Sequence, residues 1–379
     1  MLLGLLSSLA CGTQADRAAW VGTGESWPAA DMLFRRDPRW LGGDGAYSCD
    51  LGDERSAWLF GDSFIAHSDT SRRADSTLVR NSVAVQTGRD PTTAQMQFAW
   101  RQDQAGKPTA FFPDRDATWH WPGACLRDPG GSLFVFVMVL RSHSGGLGFE
   151  SAGFRVAQID NPDAPPAVWH VAWIEPPAAA STRTVGTALV VNADHVLLLA
   201  IEGDAHVGSL ARVSRSELAA GSLAGLQWWL QDRWLSTEEL HGSPSQILDD
   251  AGSEASLQRG PDTWLHIASR GFGASDIVLR TAPDPSGPWS APTTIFTPPE
   301  SLPDAPFPPF VYAGKSHPQL SGSLNELIVT YASNSLQFGD LFSPAGEALL
   351  YWPRFARIRL RPRESASTSR IRDGSAGGN

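Results

Sequence analysis

Two short runs near the start of the chain decide the predicted fold: Gly42-Gly43-Asp44-Gly45-Ala46-Tyr47-Ser48 and Trp58-Leu59-Phe60-Gly61-Asp62-Ser63-Phe64. The first run reads as a strand that opens with an acid between glycines. The second run carries large apolar residues and then stops at Gly-Asp. Glycine allows the backbone to approach a neighbour or a ligand closely. We therefore expect the Asp44 side chain to face the space in front of its strand.

The same layout recurs along the chain in five units of about fifty residues each. A helical period is almost absent after Asp44. Short runs of Val, Leu, Phe, Trp and Thr are bounded by Gly, Pro, Asp and Ser, which is typical of strands and turns. Each unit holds about four strands, and in most units the second strand is the most apolar. The units begin near Asp44, Trp121, Thr184, Ser253 and Ser316.

Four strands per unit, repeated radially, are the pattern of a β-propeller blade. The sequence therefore predicts an all-β fold, a five-bladed β-propeller with four antiparallel strands per blade. A large β-sandwich also consists of short strands and turns and is the alternative. We expect the propeller to span residues 40–361. A lead-in at 12–39 would pack outside it and supply an edge strand at 34–37, and a Ser/Gly/Arg-rich tail at 362–379 would be disordered.

The composition excludes some classes of partner. The formal net charge is −10 and no long basic run occurs, so nucleic acid is not expected as a ligand. Neutral or cationic ligands fit this charge better. The chain has 15 tryptophans, a residue that suits strands and sugar-binding surfaces.

The three cysteines are Cys11, Cys49 and Cys125, and they form no CxxC or Cys/His cluster. A structural zinc site is therefore not expected. Cys49 and Cys125 either pair, if the protein is exported, or are buried free thiols.

The first eleven residues, MLLGLLSSLAC, are apolar but too short to span a bilayer. They are typical of the end of a secretory or lipoprotein signal in which Cys11 is lipidated, although no Lys or Arg precedes the apolar run. We expect a secreted or cell-envelope lipoprotein; a misplaced start codon or a frayed terminus is the alternative.

Six motifs in order carry a family resemblance: the two opening runs, Arg80-Asn81-Ser82, Gly287-Pro288-Trp289-Ser290, Lys315-Ser316-His317-Pro318 and Tyr331-Ala332-Ser333-Asn334. Over roughly residues 40–360 they resemble bacterial five-bladed propeller families known as domains of unknown function. These families are related in fold to the arabinanase, invertase and levansucrase glycosidases, and one branch is similar to endo-acting D-arabinan hydrolases of actinobacterial cell walls. The resemblance implies a pocket at one mouth of a central channel, with carbohydrate as ligand.

Superposing the five units puts Asp44, Ala124, Thr187, Glu254 and His317 near the starts of the innermost strands. Glycoside hydrolysis needs two carboxyl groups on opposite sides of the scissile bond. We predict that Asp44 is the ionised base or nucleophile and that Glu254 is the proton donor, which matches the division of roles in the related glycosidases. The structural alternatives are that Asp44 only caps a glycine turn and that Glu254 is an exposed residue at a strand edge. Asp62 is either a third active-site acid, which tunes that pair, or a residue that holds its own turn.

Four further residues are predicted to bind substrate, each with a structural alternative. Arg80 either contacts sugar hydroxyls or pairs with Asp62, and Asn81 follows it. His317 binds substrate, lies beside a channel cation such as calcium, or is a buried structural residue. Trp121 stacks on a sugar ring or packs inside the protein. No cofactor and no protein-bound metal site is predicted.

One residue departs from the family pattern. The resemblance implies an acid after Gly123, but the chain has Ala124. The chain therefore predicts either a glycoside hydrolase that acts on a furanose-rich, arabinan-like polysaccharide or a non-catalytic glycan-binding propeller of the cell envelope. In both cases we expect a monomer whose partner is a carbohydrate polymer and whose membrane contact is made only through a lipid anchor.

The lipoprotein hypothesis can be tested in the native host. A Cys11→Ala variant should lose membrane association and keep its fold, because the lipid on Cys11 would be the anchor. Fractionation of cells followed by immunodetection measures this. Unchanged partitioning between membrane and soluble fractions would contradict the prediction.

Overall fold

The computed structural model describes residues 19–363. The predicted signal segment with Cys11, and the predicted tail beyond its first two residues, lie outside the described residues. Within the described range the chain is all-β, as predicted. The α-helices are short: Pro28–Asp31, Arg215–Ala219 and Pro344–Leu349. The 3₁₀ turns are Met32–Arg35, Arg73–Asp75, Pro166–Val168, Ala178–Ala180, Pro299–Ser301, Pro318–Leu320 and Phe338–Phe342.

Five antiparallel sheets follow one another along the chain, and they are numbered I to V here. The strands of sheet I are Tyr47–Gly52, Arg55–Phe60, Ser82–Thr87 and Gln95–Ala99. Those of sheet II are Trp119–Arg127, Leu133–Ser142, Phe149–Ile159 and Val171–Ile174. Those of sheet III are Thr184–Val191, His195–Glu202, Val207–Ser214, Gln227–Leu230, Arg233–Ser236 and Gln246–Leu248. Those of sheet IV are Ala255–Arg259, Trp264–Arg270, Asp276–Ala282 and Thr293–Phe296. Those of sheet V are Val311–Ser316, Glu326–Ser333, Arg354–Pro362 and Trp20–Ser26.

Two small sheets lie outside this series. One has the strands Trp40–Gly43, Ser63–Ala66 and Ser76–Val79, and the other has Arg101–Gln102 and Pro108–Thr109. Sheet III also departs from the expected four strands, because a hairpin and a short strand extend it to six.

The N-terminal strand corrects the predicted domain boundary. Trp20–Ser26 pairs with Arg354–Pro362 along its whole length, so this part of the predicted lead-in belongs to sheet V. Gly22 allows the strand to lie close to sheet IV, because a Cβ there would be 2.8 Å from Ile295. The edge strand predicted at 34–37 is wrong. Met32–Arg35 is a 3₁₀ turn whose Phe34 is fully buried among aromatic rings, so side-chain packing overrides strand propensity.

The apolar core is divided among the contacts between neighbouring sheets. One cluster joins Leu59 of sheet I to Val135 of sheet II, and others join sheet II to III, III to IV and IV to V. A fifth cluster packs Trp58 of sheet I against Ile328 and Phe355 of sheet V. The last sheet therefore packs on the first.

The first strands of the sheets are neighbours, and three of them carry a bulge at the same place. The bulges skip Gly123-Ala124 in sheet II, Gly186-Thr187 in sheet III and Ala313-Gly314 in sheet V. A Cβ on Gly123 would be 2.8 Å from the Gly186 carbonyl oxygen, so these two bulges lie in direct contact. A bulge re-aims the side chains beside it and is common next to functional sites.

A disulfide joins Cys49 of sheet I to Cys125 of sheet II, with their Cα atoms 5.7 Å apart. The sequence left this pairing open. The bond links the first strands of two adjacent sheets across 76 residues of chain, and a loop of that length predicts a stabilisation of about 4 kcal/mol from reduced entropy of the unfolded chain.

Removing the disulfide should lower the free energy of unfolding. We expect a Cys49→Ala/Cys125→Ala variant to lose about 2–4 kcal/mol in denaturant titrations. Reducing agent should destabilise the parent by a similar amount and leave the double variant unaffected. A variant as stable as the oxidised parent would contradict the contribution of this bond.

Candidate functional site

Asp44 lies in the turn between Trp40–Gly43 and the first strand of sheet I. Gly45 and Ala46, which follow it, have positive φ angles of 79° and 55°. The Asp44 carbonyl accepts a hydrogen bond from Gly61 N–H at 2.9 Å, and its N–H donates to the Asp62 carbonyl at 3.3 Å. These bonds bring the two acidic turns together. Any side chain at Gly61 would collide with Asp44 Oδ1, which explains the glycine before Asp62.

Two tyrosines reach the Asp44 carboxyl: Tyr312 from a strand of sheet V, and Tyr351 from the segment between the helix Pro344–Leu349 and the strand Arg354–Pro362. Tyr312 donates its hydroxyl to Asp44 Oδ2 at 2.7 Å, and Tyr351 donates to the same oxygen at 3.3 Å. Asn334 donates in turn to the Tyr312 hydroxyl at 3.3 Å. Tyr351 has a φ of 62°, an uncommon conformation for a bulky residue and one that is often found at functional sites.

The surroundings of Asp44 favour its protonated form. Burial, followed by the charge of Asp62 and then that of Glu254, raises the pKa of Asp44 to about 8. The hydrogen bonds from the two tyrosines act in the opposite direction but are the weaker effect. Asp44 as a whole residue is half-buried.

Asp62 is held by one aromatic and one cationic donor. Trp121 donates its indole N–H to Asp62 Oδ1 at 2.9 Å, and Arg80 lies 3.2 Å from Asp62 Oδ2. The guanidinium of Arg80 in turn lies 4.3 Å from the centre of the Trp119 ring. Burial raises the pKa of Asp62, and the contacts with Trp121 and Arg80 partly offset that effect.

Glu254 approaches the cluster from sheet IV and is paired with a buried lysine. Its Oε1 lies 3.6 Å from Lys315 Nζ, and both side chains are almost fully buried. Lys315 also donates to the carbonyl of Ala313 at 2.7 Å and to that of Gly45, and it lies 4.5 Å from the centre of the Tyr47 ring. Burial lowers the pKa of Lys315, and the charge of Glu254 opposes this shift.

Three carboxyl groups thus share two cations. Asp62 has Arg80 and Glu254 has Lys315, whereas Asp44 has only hydroxyl donors at its carboxyl within the described part of the chain. A carboxyl beside like charges and without its own cation is the one that retains a proton. The arrangement therefore contains two kinds of carboxyl environment, one with hydroxyl donors alone and one beside a cation, and unequal environments of this kind are what general acid and base chemistry uses.

The structure brings together Asp44, Asp62, Glu254, Arg80 and Trp121 but places Asn81 elsewhere. Asn81 is fully buried; its Nδ2 donates to the carbonyls of Phe112 and His120, each at 2.9 Å, and its Oδ1 accepts from Phe112 N–H at 2.7 Å. The prediction that Asn81 binds substrate is wrong in this structure, because its polar atoms hold two neighbouring loop segments.

His317 is a buried structural residue. Its ring is 1% exposed, and its two nitrogens lie 2.6 Å from Ser48 Oγ and 2.7 Å from Thr330 Oγ1. Burial lowers its pKa well below the usual value, and the nearby charge of Lys315 adds to this effect. The prediction of substrate contact is wrong here, because neither nitrogen is free for a sugar or a cation.

Sequence reasoning missed Tyr312, Lys315 and Tyr351. In the fifth unit, the sequence superposition aligned His317 with Ala124 and Thr187. The structure instead aligns Gly314, three residues earlier, because Gly314 lies in the equivalent bulge. With the correct alignment, Tyr312 and Lys315 flank the bulge and point to the cluster. Ala124, where the resemblance implies an acid, packs in the core, and the third carboxyl of the cluster belongs to Asp62, in the turn after the strand Arg55–Phe60.

Residues 19–363 lack two features that would define other kinds of site. They contain no group of three or more His, Cys, Asp or Glu side chains that could hold a metal ion. They also contain no helix with the length and apolar character needed to cross a membrane.

The family model named Domain of unknown function (DUF5005) matches residues 29–361, so the chain belongs to this family. The predicted kind of family is thereby confirmed, and the D-arabinan hydrolase branch stays a prediction. No curated protein sequence matches the chain.

Solved structures show related folds. A Bacteroides ovatus protein, provisionally named a hydrolase, aligns with a TM-score of 0.71 at 20% identity over 89% of this chain and 90% of that chain. The catalytic domain of a Coprinopsis cinerea GH62 α-L-arabinofuranosidase aligns with a TM-score of 0.48 at 11% identity, over 90% of this chain and 97% of that chain. The first likeness shows a shared fold, and the second is too distant to carry an argument.

The raised pKa of Asp44 predicts a pH-dependent cost to stability. The unfolded chain releases this proton near pH 4, whereas the folded protein holds it up to about pH 8. The folded state therefore binds more protons in this window, and its stability falls as pH rises, by at most about 1.4 kcal/mol per pH unit. An Asp44→Asn variant lacks this loss, so its melting temperature relative to the parent should rise between pH 4 and 8 and then level off.

Differential scanning calorimetry of both proteins across this range measures the effect. The control is the range below pH 4, where Asp44 of the parent is protonated in the folded and the unfolded state. In that range the difference in melting temperature between the parent and Asp44→Asn should not change with pH. A difference in melting temperature that does not change with pH would show that Asp44 titrates normally.

Proposed function

We propose that this protein is a five-bladed β-propeller glycoside hydrolase whose carboxyl pair is Asp44 and Glu254. The observation that carries the proposal is the convergence of three carboxyl groups and only two cations at one site. Two carboxyls in different protonation states are the minimum that glycoside hydrolysis requires.

The arrangement of the five sheets supports the propeller. Each sheet packs on the next through its own apolar cluster, and sheet V packs on sheet I. In a closed ring of blades the first and last sheets must meet in this way. Sheet V also combines the N-terminal strand with three C-terminal strands, which joins the two ends of the domain within one blade.

The charges around the pair support roles opposite to those predicted from sequence. Asp44, which has a raised pKa and no cation of its own, would donate its proton to the leaving-group oxygen as the glycosidic C–O bond breaks. Glu254, paired with Lys315, would act as the ionised partner. It would either attack the anomeric carbon or take a proton from the attacking water. Asp62 would raise the proton affinity of Asp44 and position it through the Gly61–Asp62 turn.

The proposed substrate is a neutral, furanose-rich polysaccharide of the arabinan type. The class of polymer follows from the family resemblance of the sequence motifs. The charge of the site is compatible with it, because three carboxyl groups disfavour acidic sugars. We propose a monomer that acts outside the cytoplasm, and the Cys49–Cys125 bond supports export because disulfides persist in oxidising compartments.

A non-catalytic glycan-binding protein is the second candidate. Ala124 favours it, since the family pattern implies an acid at that position. Asp62 argues against this candidate. Its carboxyl accepts a hydrogen bond from Trp121, which lies on the same strand as Ala124, so Asp62 supplies a third acid close to the position where the family pattern implies one.

Leaving-group dependence tests the pair and its roles. Asp44→Asn and Glu254→Gln should each lower turnover of arabinan by several orders of magnitude, because each carboxyl acts in the transition state. Asp44→Asn should recover much of its activity on a dinitrophenyl arabinofuranoside, whose leaving group needs no proton. Glu254→Gln should not recover on that substrate but should respond to added azide, which replaces the lost nucleophile or base.

If the dinitrophenyl substrate instead rescues Glu254→Gln and not Asp44→Asn, Glu254 is the proton donor and Asp44 the ionised partner, as predicted from sequence. Near-parental activity of both variants would show that the pair is not catalytic. A parent protein that binds glycan but cleaves none would support the non-catalytic candidate. Leu324→Ala, which alters an exposed apolar side chain in the turn before the strand Glu326–Ser333, is the control for nonspecific effects.

A further inference from the structure

Three aromatic rings form a row that leads outward from the carboxyl cluster. Tyr312 donates its hydroxyl to Asp44, and its ring centre lies 5.0 Å from that of Phe310. The ring centre of Phe310 lies 5.7 Å from that of Phe272, which is 71% exposed. The row therefore runs from two half-buried rings, Tyr312 and Phe310, to an exposed ring at the surface.

The backbone holds this row in place. Phe310 and Tyr312 are two residues apart and flank the buried Val311, as successive side chains of extended backbone alternate between faces. The Phe310 carbonyl accepts from Asn334 N–H at 2.9 Å. The Gly273 carbonyl, next to Phe272, accepts from Val311 N–H at 2.9 Å. The row thus bridges sheets IV and V.

Two concavities border the same segment. One, of about 130 Å³, is lined by Phe310, Asn334 and Leu350 among others. The other, of about 480 Å³, is lined by Ala274 and by residues 301–303 and 305–309, which include four prolines. Phe310 therefore lines the smaller concavity, and the larger one is lined by the proline-rich segment that directly precedes Phe310 in the chain.

Aromatic faces suit one class of ligand at such a place. The face of an aromatic ring is electron-rich and binds the weakly positive C–H face of a sugar, whereas hydroxyl groups at the sugar edge stay in water. A row of rings that is continuous with a carboxyl pair offers contacts to several sugar units in succession. The three carboxyls at its inner end exclude a polyanionic chain.

We propose that Phe272, Phe310 and Tyr312 bind successive units of a neutral glycan chain whose scissile bond lies at the carboxyl pair. This proposal rests on the proposed function and deepens it, since it specifies a polymer and assigns it a path across sheets IV and V. Phe272 makes no contact with the carboxyl groups, so its role is to bind chain units remote from the reaction.

Affinity gel electrophoresis of the full chain tests the proposal directly. The probes are arabinan, arabinogalactan, galactan and levan as neutral polymers, with polygalacturonate as the acidic comparison. The parent should be retarded by at least one neutral polymer and not by polygalacturonate. Phe272→Ala should weaken that binding about threefold to tenfold, as the loss of one ring contact predicts. Leu324→Ala, which removes a similarly exposed apolar side chain far from the row, should bind as the parent does.

Kinetics separate this proposal from the proposed function. Phe272→Ala should raise KM for the retained polymer and leave hydrolysis of a dinitrophenyl arabinofuranoside unchanged, because that small substrate does not reach Phe272. Unchanged polymer affinity in Phe272→Ala, or a parent that no neutral polymer retards, would overturn the aromatic row whether or not the enzyme is active. Weaker binding in Phe272→Ala together with no hydrolysis by the parent would support the row and overturn the hydrolase.

Discussion

The site depends on the ion pair between the buried ammonium group of Lys315 and the carboxyl group of Glu254. Lys315 comes from sheet V, forms an ion pair with Glu254 beside sheet IV and donates to the Gly45 carbonyl in the turn before sheet I. Lys315 is 1% exposed, and its ion pair with Glu254 and its hydrogen bonds to two carbonyls offset the cost of burying the charge. One side chain thus joins the last sheet to the first and brings Glu254 and the Asp44 turn together.

This arrangement explains why the cluster can hold unequal carboxyl groups. The two cations, Arg80 and Lys315, neutralise Asp62 and Glu254, and Asp44 is left with two tyrosine hydroxyls. The closeness of the acidic turns follows from the backbone hydrogen bonds between Asp44 and the segment Gly61-Asp62. The electrostatic character of the site is therefore a consequence of how the turns and bulges meet, and the raised pKa of Asp44 depends on its burial and on the charges of Asp62 and Glu254.

The same contacts stabilise the ends of the domain. Trp20–Ser26 completes sheet V beside the C-terminal strand, and its glycines permit close packing on sheet IV. At the other side of sheet I, the Cys49–Cys125 bond joins the first strands of sheets I and II. The strands that carry the site residues are thus held from both sides, which favours a rigid site.

The sequence by itself determined the strand pattern, the repeat and the acids. Short apolar runs such as Leu133–Ser142 are rich in Val and Phe and are bounded by turn residues, which indicates buried strands, so the all-β class followed from local pattern. Asp44 and Asp62 were recognisable as candidate site residues because each follows a glycine, a residue that allows the backbone to approach a ligand closely. Only the tertiary structure decided the rest. The bulge between Tyr312 and Lys315 shifts the strand register, and the sequence period does not show such a shift. For this reason the sequence alignment of the units missed Tyr312 and Lys315 and placed His317 at the site instead. The pairing of Trp20–Ser26 with the C-terminal strand, the disulfide and the protonation of Asp44 depend on groups far apart in the chain, and such contacts leave no local signal in the sequence.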